Sequence, residues 1–292
     1  MTVIRATVLG RCMGVRRAVE LAQDTARGEE RPPVYTLGPL IHNPQAVSEL
    51  AAQGILALSE ADLDLRDADG APRVKGRSVV IRAHGVPPAL RERIASLGAR
   101  IVDATCPRVL ASQRKARDFA RRGYSVVIAG DAGHGEVTGI AGYAPGAVVV
   151  GNPEEARAVE PRGPLALIAQ TTISREEYDA IRDALAERFP GLEVVDSICP
   201  CTKERLDALR DLAAEVDAIV VVGGRNSANT ARLHSSALAL GKAAWLVETA
   251  AELPPEAFAC SRVGLTAGAS TPESLIDEVQ AALLRGGPAE IR

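Results

Sequence analysis

Two stretches of this chain repeat one another, and that repeat limits the fold more than any single motif does. IVDATCPRVLASQRKARDFARRGYSVVIAGDAGHGE and VVDSICPCTKERLDALRDLAAEVDAIVVVGGRNSAN share one order: strand, cysteine, helix, strand, glycine-rich loop. Cys106 precedes Gly130 by 24 residues, and Cys199 precedes Gly223 by 24. His134 and Ser227 each fall 28 residues past their cysteine. The N-terminal segment follows the plan more loosely. ATVLGRC leads into a helical stretch, 15–26, and then VYTLGPLIHNPQ, with Gly38 26 residues and His42 30 residues past Cys12. The three cysteines are 94 and 93 residues apart, so a repeat of domain size is expected.

Apolar runs of strand length recur at 34–37, 78–81, 100–102, 125–129, 147–150, 165–169, 193–195, 218–222, 243–247 and 262–265, with helical patterns such as 108–122 and 203–216 between them. Strands alternating with helices predict an α/β fold with mostly parallel sheets. Each third also holds a second strand ending in a polar loop: VVIRAHGVPP, LALIAQTTIS and VGLTAGASTPE. These place His84, Thr171 and Ser270 at matching points. The chain therefore reads as three pseudo-equivalent α/β units, 1–104, 105–197 and 198–292. Ligands of open α/β sheets collect at the carboxyl ends of strands. Three units sharing one centre would bring together a cysteine loop, a His42/His134/Ser227-type loop and a His84/Thr171/Ser270-type loop. The polar stretch 61–76 is expected to be a surface loop, and Arg285–Arg292 a frayed tail.

Composition narrows the function. Aromatics are 3% of the 292 residues and the net charge is −3, with no basic run, so nucleic acid and charged membrane surfaces are poor partners. The first residues do not read as a signal peptide, and no apolar stretch has spanning length, which predicts a cytoplasmic protein. Five widely spaced cysteines do not suggest a disulfide framework.

A lone cysteine is usually a small buried hydrophobe. Three that end a strand and precede a helix are different, because a helix N-terminus favours thiolate. Three converging thiolates suit a soft metal and leave one metal position open for substrate. Cys106-Pro107 aligns with Cys199-Pro200, so the register makes Cys199 the ligand and Cys201 a bystander. Cys260 has no repeat partner and reads as structural.

Three of the four histidines, His42, His84 and His134, lie in the strand-end loops, whereas His234 falls in a helical pattern and reads as surface. With Ser227, Asn229, Thr171 and Ser270 they would form a polar pocket suited to phosphate oxygens. Helix capping competes with this reading: Ser270-Thr-Pro-Glu273 and Ser174-Arg-Glu-Glu177 both have capping-box form. Glu136 is either a general acid or a first-turn acid complementing a helix dipole. No glycine-rich loop matches an ordinary nucleotide-binding motif.

The segments GRCMGVRRAV, YTLGPLIHNPQAV, RAHGVPP, VDATCP, GHGEVTGI, QTTIS, DSICPCT, GGRNSANTARL and TAGASTPE resemble the LytB-type iron–sulfur family of 4-hydroxy-3-methylbut-2-enyl diphosphate reductases, in the same order, from Cys12 to the end of the chain. The resemblance implies three α/β domains set as a trefoil around one 4Fe–4S cluster held by Cys12, Cys106 and Cys199, with a fourth iron for the substrate hydroxyl. It implies that His42, His84, Ser227, Asn229 and Ser270 grip a diphosphate, that His134 and Thr171 line the pocket and that Glu136 relays protons. The implied activity is reductive removal of the hydroxyl as water, giving isopentenyl and dimethylallyl diphosphate in the non-mevalonate isoprenoid pathway. Ferredoxin or flavodoxin would supply the electrons. Three departures stand out. Gly135 replaces the family's usual proline, Ala228 its usual serine, and Met13 a smaller residue beside the first cysteine. They leave room for a paralogue acting on another allylic diphosphate. A non-catalytic diphosphate-binding module and a three-thiolate zinc hydrolase are the competing readings.

Overall fold

A computed structural model describes residues 1–30 and 32–286. The chain opens with β1 (Thr2–Arg5), α1 (Met13–Arg27), β2 (Val34–Leu37), α2 (Pro44–Ala52) and β3 (Ile55–Leu58). It continues through β4 (Ser78–Ile81), α3 (Pro88–Ser96), β5 (Arg100–Asp103) and α4 (Pro107–Arg121). Next come β6 (Ser125–Ala129), α5 (Gly135–Ala141), β7 (Val148–Val150), α6 (Pro153–Arg157), β8 (Leu165–Ala169), α7 (Arg175–Arg188) and β9 (Glu193–Val195). The last stretch holds α8 (Pro200–Glu215), β10 (Ala218–Val222), α9 (Ala228–Ala239), β11 (Ala243–Val247), α10 (Pro255–Phe258), β12 (Arg262–Ala267) and α11 (Glu273–Arg285). Of the tail expected to fray, 287–292 lie outside the described residues, while Arg285 ends α11.

The strands form three four-stranded sheets, all parallel, with orders β3-β2-β4-β5, β7-β6-β8-β9 and β11-β10-β12-β1. The three orders are the same pattern. The first strand is the exception to a simple division of the chain at 104 and 197. β1 pairs with β12 in register Thr2↔Arg262 to Arg5↔Leu265, in the sheet of the C-terminal third. By compactness the chain falls into two units. One is drawn from Met1–Arg16, Ile41–Glu49 and the chain from Pro200 onward; the other from Arg17–Leu40 and Leu50–Cys199.

Inner strands and edge strands differ as a parallel sheet requires. β2, β4, β8 and β10 are buried at every residue, and β12 at all but its first. Such strands are covered on both faces and read as continuous apolar runs. The edge strands β1, β5 and β9 are largely half-exposed. In the β6–β9 sheet, Val127 and Leu167 pack on one face with Tyr178, Ile181 and Leu185 of α7. Val126, Ile128 and Ile168 pack on the other with Ala116 and Phe119 of α4. Burial there is complete, so truncating Ile168 to alanine removes roughly 2–5 kcal/mol.

Helix starts follow from local chemistry. Proline occupies the first position of α4 and of α8, where its missing N–H costs nothing. α4 then buries Val109, Ser112, Gln113, Ala116 and Phe119, a stripe of helical period. Ser174 caps α7 in a reciprocal box with Glu177. The stretch 61–76 is more anchored than a surface loop. It begins with a short 3-10 turn, Ala61–Asp64, and fully buries Leu63 and Val74. Among the described residues, no helix is long and apolar enough to cross a membrane.

Candidate functional site

Each of the three repeat cysteines follows an edge strand and precedes a helix: β1–Cys12–α1, β5–Cys106–α4 and β9–Cys199–α8. Each backbone N–H donates to the loop after the neighbouring inner strand. Cys12 reaches the Ala269 carbonyl at 3.1 Å, Cys106 that of Ala83 at 2.9 Å and Cys199 that of Thr171 at 2.9 Å. Those loops carry Ser270, His84 and Thr171, the residues the repeat had matched. The hydrogen bonds thus tie every cysteine to the polar strand-end loop of its own sheet.

In the unit that contains the N-terminus, Cys12 is held as a thiolate. Its pKa is lowered to about 6, first by a hydrogen bond from the Cys201 side chain. Burial opposes the shift, and the N–H groups of Val15 and Gly14 and the charge of Arg205 assist it. Arg205, buried itself, donates to the Cys201 sulfur and to the Gly10 carbonyl. Cys201, which register sets aside as a ligand, thus lies beside the first cysteine. The missed signal was the i, i+4 spacing of Cys201 and Arg205 on α8, which puts them on one helix face. Met13 is 62% exposed, so its size meets no core constraint. Cys260 packs at the edge of the β12–α11 core, and its thiol donates to the Glu256 carbonyl at 3.5 Å.

The same unit gathers His42, Ser227, Asn229 and Ser270. Ser270 Oγ donates to the His42 carbonyl at 3.3 Å. Of the two readings of Ser270, the capping box does not form: α11 starts at Glu273 behind Pro272, and the Glu273 carboxylate binds Arg5 at 2.9 Å. Gly224 lies so close that a Cβ would stand 2.4 Å from the His42 carbonyl, which accounts for glycine there. Its own carbonyl accepts from Ser227 N–H at 3.1 Å. Ser227 caps α9 through Thr230 N–H at 3.4 Å. Asn229 is buried, and its Nδ2 has no hydrogen-bond partner. An orphaned buried donor beside a helix N-terminus is the arrangement an anion completes. His234, read as a surface residue, is half-buried, with a ring nitrogen 3.2 Å from the Ala244 carbonyl.

In the other unit, His134 caps α5, its Nδ1 accepting from Glu136 N–H at 3.2 Å. That acceptor role leaves the ring proton of a neutral His134 on Nε2. The His84 and His134 rings meet edge to face with centroids 5.4 Å apart. Glu136 is 2% exposed, and one carboxylate oxygen accepts Thr171 N–H at 2.6 Å while the other accepts Thr171 Oγ at 2.8 Å. Hydrogen bonds therefore run from Cys199 through Thr171 and Glu136 to His134, whose ring meets that of His84 edge to face. This unit sets a carboxyl group among polar partners. The other sets donors around a helix N-terminus.

The fold and these residues define a three-sheet α/β protein that places a cysteine after one edge strand of every sheet and polar groups after the inner strands. The chain belongs to the LytB protein family, whose model matches residues 3–284. It is 46% identical to the 4-hydroxy-3-methylbut-2-enyl diphosphate reductase of Treponema denticola, over 98% of this chain and 100% of that protein. A solved structure described as (E)-4-hydroxy-3-methyl-but-2-enyl diphosphate reductase, the terminal enzyme of the non-mevalonate pathway, is 36% identical with a TM-score of 0.68, covering 98% of this chain and 99% of that one. The structure of the E-1-hydroxy-2-methyl-but-2-enyl-4-diphosphate reductase from Plasmodium falciparum is 26% identical with a TM-score of 0.86, covering 96% of this chain and 87% of that one.

Proposed function

We propose that this chain reduces 4-hydroxy-3-methylbut-2-enyl diphosphate to isopentenyl and dimethylallyl diphosphate, the last step of the non-mevalonate pathway, using one 4Fe–4S cluster on Cys12, Cys106 and Cys199. The carrying observation is the common placement of the three cysteines, each at a helix start and tied by its N–H to a polar strand-end loop. The donor set fits an iron–sulfur centre, because none of the three cysteines is in a disulfide and the Cys12 thiol pKa is lowered to about 6. When bound, such a cluster supplies electrons and a Lewis-acidic iron for the leaving oxygen.

The protein's own side chains divide the remaining work. His42, Ser227, Asn229 and Ser270, together with His84, hold the diphosphate, with the orphaned Asn229 amide as one donor. Binding energy spent there orients the reacting carbon. His134 and Thr171 line the same pocket. Glu136, fixed through both oxygens by Thr171, is the proton donor of the pocket. Two electrons and two protons enter, the C–O bond breaks, a C–H bond forms and water leaves. In this reading a ferredoxin or flavodoxin delivers the electrons.

Anaerobic purification tests the reading. The expected product is a brown protein with about four irons and four sulfides per chain that consumes the substrate with reduced methyl viologen. Zinc in place of iron, or diphosphate binding without any reductive turnover, would replace it with a hydrolase or a binding module.

A further inference from the structure

Arg82 follows β4, two residues before His84. Its guanidinium lies in a slot between two glycines. A Cβ on Gly38 would stand 2.8 Å from Nη1, and a Cβ on Gly135 would stand 2.6 Å from Nη2 and 3.1 Å from Cζ. Gly38 has φ +69°, so its backbone also favours glycine. Gly135, the first residue of α5, has an ordinary backbone, and closeness alone accounts for the missing side chain there. A side chain at Gly135 would enter the space that the guanidinium occupies, so glycine there admits this arginine.

The charge so admitted lacks a counterpart. Arg82 Nε is buried without a hydrogen-bond partner, and among the described residues no carboxylate lies within ion-pairing distance of the guanidinium. Burial holds its pKa below the ordinary value, with only the field of Glu60 opposing. A recessed guanidinium without a partner is a cost to the folded chain unless an anion arrives. The slot wall is Gly135, next to His134, whose ring meets that of His84. A fork of N–H donors beside two imidazoles suits phosphate oxygens, and its recessed position favours a small anion over a protein partner.

We propose that Arg82 is a further diphosphate-binding residue, its guanidinium aligned by the glycine slot of Gly38 and Gly135. The assignment rests on the diphosphate reading of the His84–His134 recess. The test uses the anaerobically purified holoprotein, titrated calorimetrically with inorganic diphosphate and assayed with the allylic substrate. Arg82→Gln should raise the diphosphate Kd and the substrate KM by roughly ten- to a hundredfold, as expected for a lost charged hydrogen bond. The loss should fall on KM rather than kcat, with iron content unchanged. Arg82→Lys, which keeps charge but not the fork, should fall between. Gly135→Ala, which narrows the slot and keeps the arginine, should weaken diphosphate in the same direction. Without ligand, Arg82→Gln should melt no lower than wild type, because it removes an unpaired charge.

Wild-type diphosphate affinity in Arg82→Gln would overturn the assignment. So would a weaker affinity accompanied by a lower melting temperature or lost iron, which would make Arg82 structural. If wild type binds diphosphate but does not reduce the substrate, the proposed reaction fails while the Arg82 assignment is still decided by the titration. If wild type binds no diphosphate at all, both fall.

Discussion

The starts of α5 and α9 occupy equivalent places in two copies of one unit, yet they do different chemistry. Each follows an inner strand and a glycine-rich loop, and each is capped by the residue 28 positions past a repeat cysteine. His134 caps α5 with a ring nitrogen, and the second residue of that helix, Glu136, turns a buried carboxyl group toward Thr171. Ser227 caps α9 with a hydroxyl, and the second residue of that helix, Asn229, leaves a buried amide donor without a partner. A carboxyl group held among polar partners suits proton transfer; donors at a helix start suit an anion. Duplication supplies the geometry, and the two side chains at each helix start decide its use.

What the two copies share can be broken most severely. Cys106→Ser and Cys199→Ser should each abolish both iron content and turnover, read by metal analysis and a methyl viologen assay. A serine variant that keeps its iron would end the equivalence of the copies. Next, Glu136→Gln should slow turnover by about 10²–10⁴-fold, the usual worth of a positioned proton donor, while diphosphate affinity by calorimetry stays near wild type. A rise in KM at unchanged kcat would show that α5, too, serves the anion. Asn229→Ala should do the opposite and raise KM about tenfold, for the loss of one charge-assisted hydrogen bond, with kcat little altered.

A finer contrast lies at the first cysteine, which has Cys201 and Arg205 beside it. In cluster-free protein, mass spectrometry of iodoacetamide-labelled Cys12 should show a rate that falls tenfold per unit below about pH 6 and levels off above it, because only the thiolate reacts. Cys201→Ala should move that midpoint upward, since the Cys201 hydrogen bond is the largest cause of the lowered value. An unmoved midpoint would remove Cys201 from the site. The smallest effect belongs to Ser174, the cap of α7. Ser174→Ala should cost about 1 kcal/mol in urea unfolding and leave KM alone, in contrast to Ser270, whose hydroxyl serves a loop carbonyl and not a helix end.

The repeat was readable because its signals are local. Buried strands such as Ala218–Val222 are unbroken apolar runs, and Cys-Pro marks the start of both α4 and α8. β1 and β3 are short and neither is buried throughout, so neither gives the unbroken apolar run of an inner strand. The partner of β1, moreover, is 260 residues away. The contact of Cys201 with Cys12 is not legible in the alignment, which registers positions along the chain, because it is made through the fold. The form S-x-x-E failed at Ser270 and held at Ser174. The motif alone does not say where the helix begins, and at the former site the helix is capped at Pro272 and starts two residues further on than a Ser270 cap would place it.

The pairing of Thr2–Arg5 with Arg262–Leu265 has a bearing on how the chain is made. During synthesis the strand leading to Cys12 emerges about 260 residues before the strand it zips onto. Until then two sheets can assemble from contiguous chain while the edge strand of the third waits for the inner strand it pairs with, a non-local closure of the kind that slows folding. A nascent chain stalled before β12 would hold two complete sheets and, in Thr2–Arg5, a strand leading to Cys12 without its partner.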